Sequence, residues 1–213
     1  HLSEDLADQA IKWIRQQQTS TPDSPFFCYF APPAVHAPHQ APKEWIDKYV
    51  GAFDEGWDAL REQIYKRQLN LGVIPEGTQL TPRPEQIPSW DSYPDRYKPV
   101  ATRLMEVFAG FLAHTDAQIK RILDCLNETG CADNTLVIYI TGDNGASAEG
   151  TVHGAWSAPS FQNGVHEDPE WLLEHIDDFG TNKCENHFNV GWAWALDAPF
   201  QWMKQVASHF GGT

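Results

Sequence analysis

The predicted fold is decided by the stretch Thr135-Leu-Val-Ile-Tyr-Ile-Thr-Gly-Asp-Asn-Gly145. It begins with β-branched, aromatic and leucine residues, which are typical of a strand buried on both faces. Its two glycines then permit a sharp turn in which Asp143 and Asn144 place two oxygen-bearing side chains. Ligands of open α/β sheets bind outside the carboxyl ends of the strands. Two hard oxygen donors at such an end indicate a cation site, although they also suit a plain turn.

The composition predicts an ordinary globular protein without a nucleic-acid partner. The 213 residues are 41% hydrophobic and 21% charged, and the formal net charge of −14 argues against a basic, nucleic-acid-binding face. No run approaches the roughly 20 apolar residues of a membrane span. We therefore expect a soluble protein without a membrane partner, whose compartment, cytoplasmic or periplasmic, stays open. An anion site in so acidic a chain has to be built locally, from a metal, a lysine or histidines.

Hydrophobic periodicity predicts an alternation of helices and strands. The predicted helices cover about 3–17, 42–50, 54–71, 99–127, 169–178 and 199–207, and the predicted strands cover 25–31 and 135–140. This order favours an α/β fold with a mostly parallel sheet, flanked by helices and joined by long irregular loops. No domain boundary is visible, so residues 1–213 are predicted to belong to one domain.

Two further side chains are candidates for chemistry. His36 follows the first predicted strand in a loop stiffened by prolines, which would bring it to the same sheet edge as the Asp-Asn turn. His39 could share its role or be a bystander. Lys204 lies among apolar residues ahead of a Gly-Gly pair and could bind an anionic oxygen as a point charge. Either His36 or Lys204 could also be an ordinary loop or surface residue.

Together these motifs resemble the sulfatases of the alkaline-phosphatase superfamily, most closely the bacterial arylsulfatases. His36-Ala-Pro-His-Gln-Ala-Pro42 is similar to the family's H-x-P-x-x-x-P, Thr141-Gly-Asp-Asn-Gly145 to its metal-ligand turn, and Lys204 before Gly211-Gly212 to its lysine. The resemblance implies part of an alkaline-phosphatase-like sandwich. It also implies the hydrolysis of a small-molecule sulfate ester to an alcohol or phenol and sulfate.

The resemblance assigns a role to each matching residue. Asp143 and Asn144 would bind a divalent cation, usually Ca²⁺, with Mg²⁺ and Mn²⁺ as alternatives. His36 would contact the sulfate or the leaving-group oxygen, and Lys204 would bind a sulfate oxygen. His36 and Lys204 are thus the predicted catalytic and substrate-binding residues.

The chain departs from the family's pattern at the nucleophile. That nucleophile is a formylglycine made from the cysteine of C-x-P-S-R, and none of Cys28, Cys125, Cys131 and Cys184 is followed by that pattern. The upstream Asp pair that completes the metal site is also absent. We expect the middle to C-terminal part of a sulfatase catalytic domain, inactive by itself, whose partner is the missing N-terminal part. A phosphate or phosphonate ester hydrolase of the same superfamily and a non-catalytic metal-binding module remain alternatives.

Overall fold

The computed structural model describes residues 1–142 and 144–208. The α-helices are α1 (Leu2–Ser20), α2 (Lys43–Ile46), α3 (Gly56–Asn70), α4 (Lys98–Glu128), α5 (Pro159–Gln162), α6 (Pro169–Glu174) and α7 (Val190–Leu196). Short 3₁₀ turns occur at Asp47–Tyr49, Trp90–Ser92, Asp95–Tyr97, Ala132–Asn134 and Ile176–Asp178. Within the described ranges, none of the helices has the length and apolar character needed to cross a membrane.

Helix α4 is the longest helix of the described residues, and several of the other helices pack against it. Its apolar residues keep helical spacing, as the sequence predicts, and they bury one face of the helix from Val100 to Leu126. Helices α1, α2 and α6 all contact it. The closest approach is at Gly110, where an added Cβ would lie 2.7 Å from the Ile46 Cα of α2. Only glycine permits this separation, so Gly110 fixes where α2 crosses α4.

The described residues contain no β-sheet, so the predicted α/β sandwich with its mostly parallel sheet is wrong. Segments 25–31 and 136–140 make no backbone hydrogen bond to another described residue. Their composition does keep them out of helices, but a strand exists only when its N–H and C=O groups pair with a neighbour. Leu136 and Ile140 are 86% and 80% exposed, the opposite of a strand buried on both faces. Pairing is limited, in the described part, to isolated bridges at Ala155–His187 and Ser157–Glu185.

The last predicted helix is also wrong. Residues 199–207 form turns rather than a helix. Trp202 and Gln205 have φ angles of 64° and 76°, in the left-handed region that a right-handed helix excludes. The helix of this region is α7 instead, and Gly191 lets it pack against α3, since an added Cβ would lie 2.4 Å from the Trp57 ring.

A buried arginine ties α3 to the chain that follows α7. Arg61 is 1% exposed and donates hydrogen bonds of 2.5 Å to the carbonyl oxygens of Trp194 and Phe200. Its guanidinium carbon also lies 4.3 Å from the centre of the Trp194 ring. Burial raises the pKa of the neighbouring Asp197 to about 7, and the Arg61 charge offsets only part of that effect.

We predict that Asp197→Asn changes the pH dependence of stability. Because the pKa of Asp197 rises from 3.8 to about 7 on folding, folding takes up a proton in that window and the free energy of unfolding falls as pH increases. The amide cannot ionise, so the stability advantage of the variant over the native protein should grow as the pH rises through this window. At pH values higher than the window, the advantage should be roughly 2–4 kcal/mol.

Urea unfolding at about pH 4 and pH 8 measures this advantage. The exposed Asp177→Asn is the matched control and should follow the native protein at both pH values. An equal difference between Asp197→Asn and the native protein at the two pH values would contradict the prediction.

Candidate active site

A cavity of about 210 Å³ brings together segments that are far apart in the sequence. The predicted site residues His36, Asn144 and Lys204 all line it, although the sheet edge that was expected to gather them is absent from the described residues. Asp143 and the Gly211-Gly212 pair lie outside the described residues. The remaining lining comes from the proline-rich loop, the turn after Asn144, helix α4 and the chain before α7.

A second cavity, of about 320 Å³, lies between α1 and the segment that follows it. Its lining is Leu6, Ala10, Trp13, Cys28, Tyr29, Phe30 and Ala31. Because the polar groups of this lining are one thiol, one phenol and one indole N–H, it offers no cation for an anionic substrate. The smaller cavity is therefore the candidate for the site.

Hydrogen bonds join the Lys204 turn to the Asn144 turn. The backbone N–H of Lys204 donates to the carbonyl oxygen of Ala146 at 3.0 Å. The next side chain, Gln205, donates to a carboxylate oxygen of Glu149 at 2.9 Å. The two segments therefore hold one wall of the cavity as a unit.

Hydrogen bonds hold the proline-rich loop to the chain that precedes α7. The Gln40 side chain donates to the carbonyl oxygen of Cys184 at 2.8 Å, and the backbone N–H of His39 donates to that of Asn186 at 3.3 Å. The Asn186 side chain in turn accepts from the backbone N–H of Gly180 at 2.9 Å. These contacts place the loop over the chain that precedes α7.

The tautomer of His36 follows from its hydrogen bond. Its Nδ1 lies 3.0 Å from the carbonyl oxygen of Ala37, and because a carbonyl only accepts, Nδ1 carries a proton. Nε2 is then the ring nitrogen left for an occupant of the cavity. His36 can donate a hydrogen bond to that occupant only as an imidazolium, with protons on both nitrogens.

Two buried histidines form the floor of the cavity. His39 and His187 are each 2% exposed, and their ring centres lie 4.7 Å apart. Burial is the largest cause that lowers the pKa of both, so both imidazoles are neutral at neutral pH. Phe108 and Phe188 pack against His39, each with its ring centre 5.1 Å away.

Sequence reasoning left His39 undecided and did not single out His187. Nothing in the local sequence marks His187, because its place in the cavity follows from a non-local contact. An added Cβ on Gly150 would lie 1.8 Å from the carbonyl oxygen of Phe188 and 2.9 Å from that of His187. Only a glycine lets the turn after Asn144 approach the cavity floor this closely.

Asn144 suits a hard cation as a single ligand. Its Nδ2 donates to the carbonyl oxygen of Gly145 at 3.1 Å, which leaves Oδ1 available as an oxygen donor. The described residues contain no group of three His, Cys, Asp or Glu side chains arranged to hold a metal. No such group is present there to complete a cation site at Asn144, and Asp143 is the further ligand that the sequence predicts.

Comparison with known proteins gives the family of this chain. The family model of the sulfatases matches residues 1–181. The chain belongs to the sulfatase family. This confirms the family predicted from the loop, turn and lysine motifs, and the match includes the first two of them.

Relatives of this sulfatase chain extend the similarity to its C-terminal part. An uncharacterised sulfatase of Schizosaccharomyces pombe is 34% identical over 205 residues, which are 95% of this chain and 35% of that protein. The arylsulfatase of Klebsiella aerogenes is 31% identical over 214 residues, 100% of this chain and 43% of that protein. A sulfatase of Formosa agariphila is 22% identical over 158 residues. The chain thus spans less than half the length of the first two relatives.

We predict that Gly150→Ala destabilises this sulfatase chain by about 3 kcal/mol, because the new methyl group meets a backbone carbonyl that cannot move aside. Gly142→Ala is the matched control in the same stretch, since its Cβ would lie at an ordinary 3.5 Å from the nearest heavy atom. Urea unfolding of both variants measures the difference. Equal stability of the two would show that the close approach at Gly150 is unimportant.

Proposed function

We propose that the complete protein is a sulfuric ester hydrolase of the arylsulfatase type, acting on small-molecule sulfate esters at the cavity of His36, Asn144 and Lys204. The observation that carries this proposal is the convergence of these three residues on one cavity in a chain of the sulfatase family. The named relative from Klebsiella aerogenes, an arylsulfatase, supports the same reaction class.

Lys204 and His36 supply the positive charge that a sulfate ester requires. The formal net charge of −14 gives no general attraction for anions, so binding depends on these local groups. The Lys204 ammonium binds a sulfate oxygen as a point charge. His36 contacts the sulfate or protonates the leaving-group oxygen through Nε2, and in either role it acts as an imidazolium because Nδ1 donates to Ala37.

Asp143 and Asn144 would hold a divalent cation, with Ca²⁺ preferred and Mg²⁺ or Mn²⁺ as alternatives for the same oxygen ligands. Such a cation, when bound, neutralises charge on the ester as the bond to the leaving group breaks. The formylglycine nucleophile is expected in the complete protein, because no cysteine of this chain lies in C-x-P-S-R.

The remainder of the polypeptide is the proposed partner of this chain. Segment 136–140 exposes five consecutive apolar side chains to solvent, Leu136, Val137, Ile138, Tyr139 and Ile140. A contiguous apolar patch that is exposed to solvent marks an interface. The segment leads directly into the turn with Asn144. A partner that covers the segment would therefore also order the candidate cation site.

We predict that the complete protein hydrolyses 4-nitrophenyl sulfate and that the isolated 213 residues do not, because the chain contains no C-x-P-S-R nucleophile motif. Lys204→Ala should lower kcat/KM at least about 100-fold, the usual effect of removing one charge-stabilising donor. Lys66→Ala, at a well-exposed lysine, is the control and should match the native protein.

Release of 4-nitrophenolate measures the turnover. Faster turnover of an aryl phosphonate monoester than of the sulfate would favour the phosphonate hydrolase alternative. Turnover of neither ester would favour a non-catalytic metal-binding module, and turnover by the isolated chain would contradict the proposed role of the missing part.

We predict that Asn144→Ala weakens Ca²⁺ binding by the complete protein more than about tenfold, since even residues that only orient a ligand contribute that much. Asn70→Ala, at an exposed position at the end of α3, is the matched control. Calorimetric titration of chelator-treated protein with Ca²⁺ measures both. Unchanged affinity in Asn144→Ala would exclude Asn144 as a ligand.

A further inference from the structure

The proposed reaction leaves one buried carboxylate beside the cavity without a role. Glu149 is 6% exposed, although it is charged and lies in the turn that follows Asn144. Burial raises its pKa, but the hydrogen bond from Gln205 and the nearby His187 and His36 outweigh this, so the net pKa is below its usual range. A buried, ionised carboxylate is costly unless hydrogen bonds or an opposite charge compensate it.

Gln205 is the group that Glu149 holds. With a φ of 76°, Gln205 adopts a left-handed conformation that is strained for a residue with a side chain. Such a conformation persists only where its surroundings hold it. Here the bond from its side chain to Glu149 and the backbone bond from Lys204 to Ala146 do so. The direction of the Lys204 side chain depends on this strained turn.

His187 lines the same cavity as Lys204. After the larger effect of burial, its pKa is raised by Glu149 and lowered by Lys204, so both charged groups lie near its ring. Its Nδ1 donates to the carbonyl oxygen of Phe188 at 3.1 Å, so Nε2 of the neutral ring carries a lone pair. A lone pair repels sulfate oxygens, and His187 therefore cannot bind the sulfate itself. It can accept a hydrogen bond from an ammonium group.

The Lys204 ammonium is such a donor. It lines the same cavity as His187, and it forms no side-chain hydrogen bond with the residues that the structure describes. An ammonium group has three protons to donate and a flexible stem, so its direction has to be fixed by acceptors around it.

We propose that Glu149 and His187 are positioning residues for Lys204. Glu149 fixes the strained turn through Gln205. When a sulfate group enters the cavity, Nε2 of His187 accepts one ammonium proton of Lys204, so that the other two face the sulfate group. This inference rests on the proposed function of the cavity, because it assumes that Lys204 binds sulfate.

A double-mutant cycle in the complete protein tests the pair. Glu149→Ala should raise KM for 4-nitrophenyl sulfate about tenfold and change kcat less, a size typical of residues that orient another. In the Lys204→Ala background the same substitution should have less than about a twofold effect, since the residue that it positions is gone. Equal effects in the two backgrounds would overturn the proposal.

Conservative variants separate positioning from a merely structural role. Glu149→Gln keeps an oxygen that can accept from Gln205, and it should recover KM to within about threefold of the native value. His187→Phe keeps a ring of similar size but removes the lone pair, and it should raise KM about tenfold only when Lys204 is present. Failure of Glu149→Gln to recover KM would contradict the role of the Gln205 bond.

Matched controls are Glu185→Gln and His166→Gln, which change exposed residues of the same types. Urea unfolding checks that each variant folds. If the native protein hydrolyses no sulfate ester, the proposed function fails, and the affinity for inorganic sulfate then decides the positioning proposal. The same non-additive loss of sulfate affinity supports it, and unchanged affinity in Glu149→Ala overturns it.

Discussion

The close approach of α2 to α4 at Gly110 is the contact on which the site depends. Helix α2 begins at Lys43, directly after the loop that carries His36, so the crossing point fixes where that loop ends. Two positions before Gly110, Phe108 packs against His39 and lines the cavity. The same helix therefore supplies both the anchor of the loop and the apolar wall behind it, and the core and the cavity form one body.

The electrostatics of the cavity run against those of the whole molecule. A chain with a formal net charge of −14 gathers Lys204 and His36 around one small space. Close to them lie the buried imidazoles of His39 and His187, whose pKa values burial lowers, and the buried carboxylate of Glu149. Glu149 accepts a hydrogen bond from the Gln205 side chain, so its carboxylate is engaged within the protein.

Helices were predictable from the sequence because their hydrogen bonds and amphipathic spacing are local, as in α1, α3 and α4. The sheet was not, because strand pairing depends on partners that segments 25–31 and 136–140 do not find among the described residues. His36, Asn144 and Lys204 do share a cavity, but a packing of loops gathers them there. Their chemical roles stay predictions. Glu149 and His187 were missed because only the non-local contact at Gly150 brings them together.

The exposed segment 136–140 has a thermodynamic consequence for the turn that follows it. Asn144 follows a stretch without backbone hydrogen bonds to the described residues. Interactions within this chain therefore contribute little free energy to fixing the orientation of Asn144. A partner that covers the segment and a cation that binds the turn would both stabilise the same conformation of Asn144. Linkage makes their effects reciprocal: each would increase the affinity of the other by the same factor. Binding of the covering partner and binding of the cation would thus be linked by a single coupling free energy, which could be measured from either one.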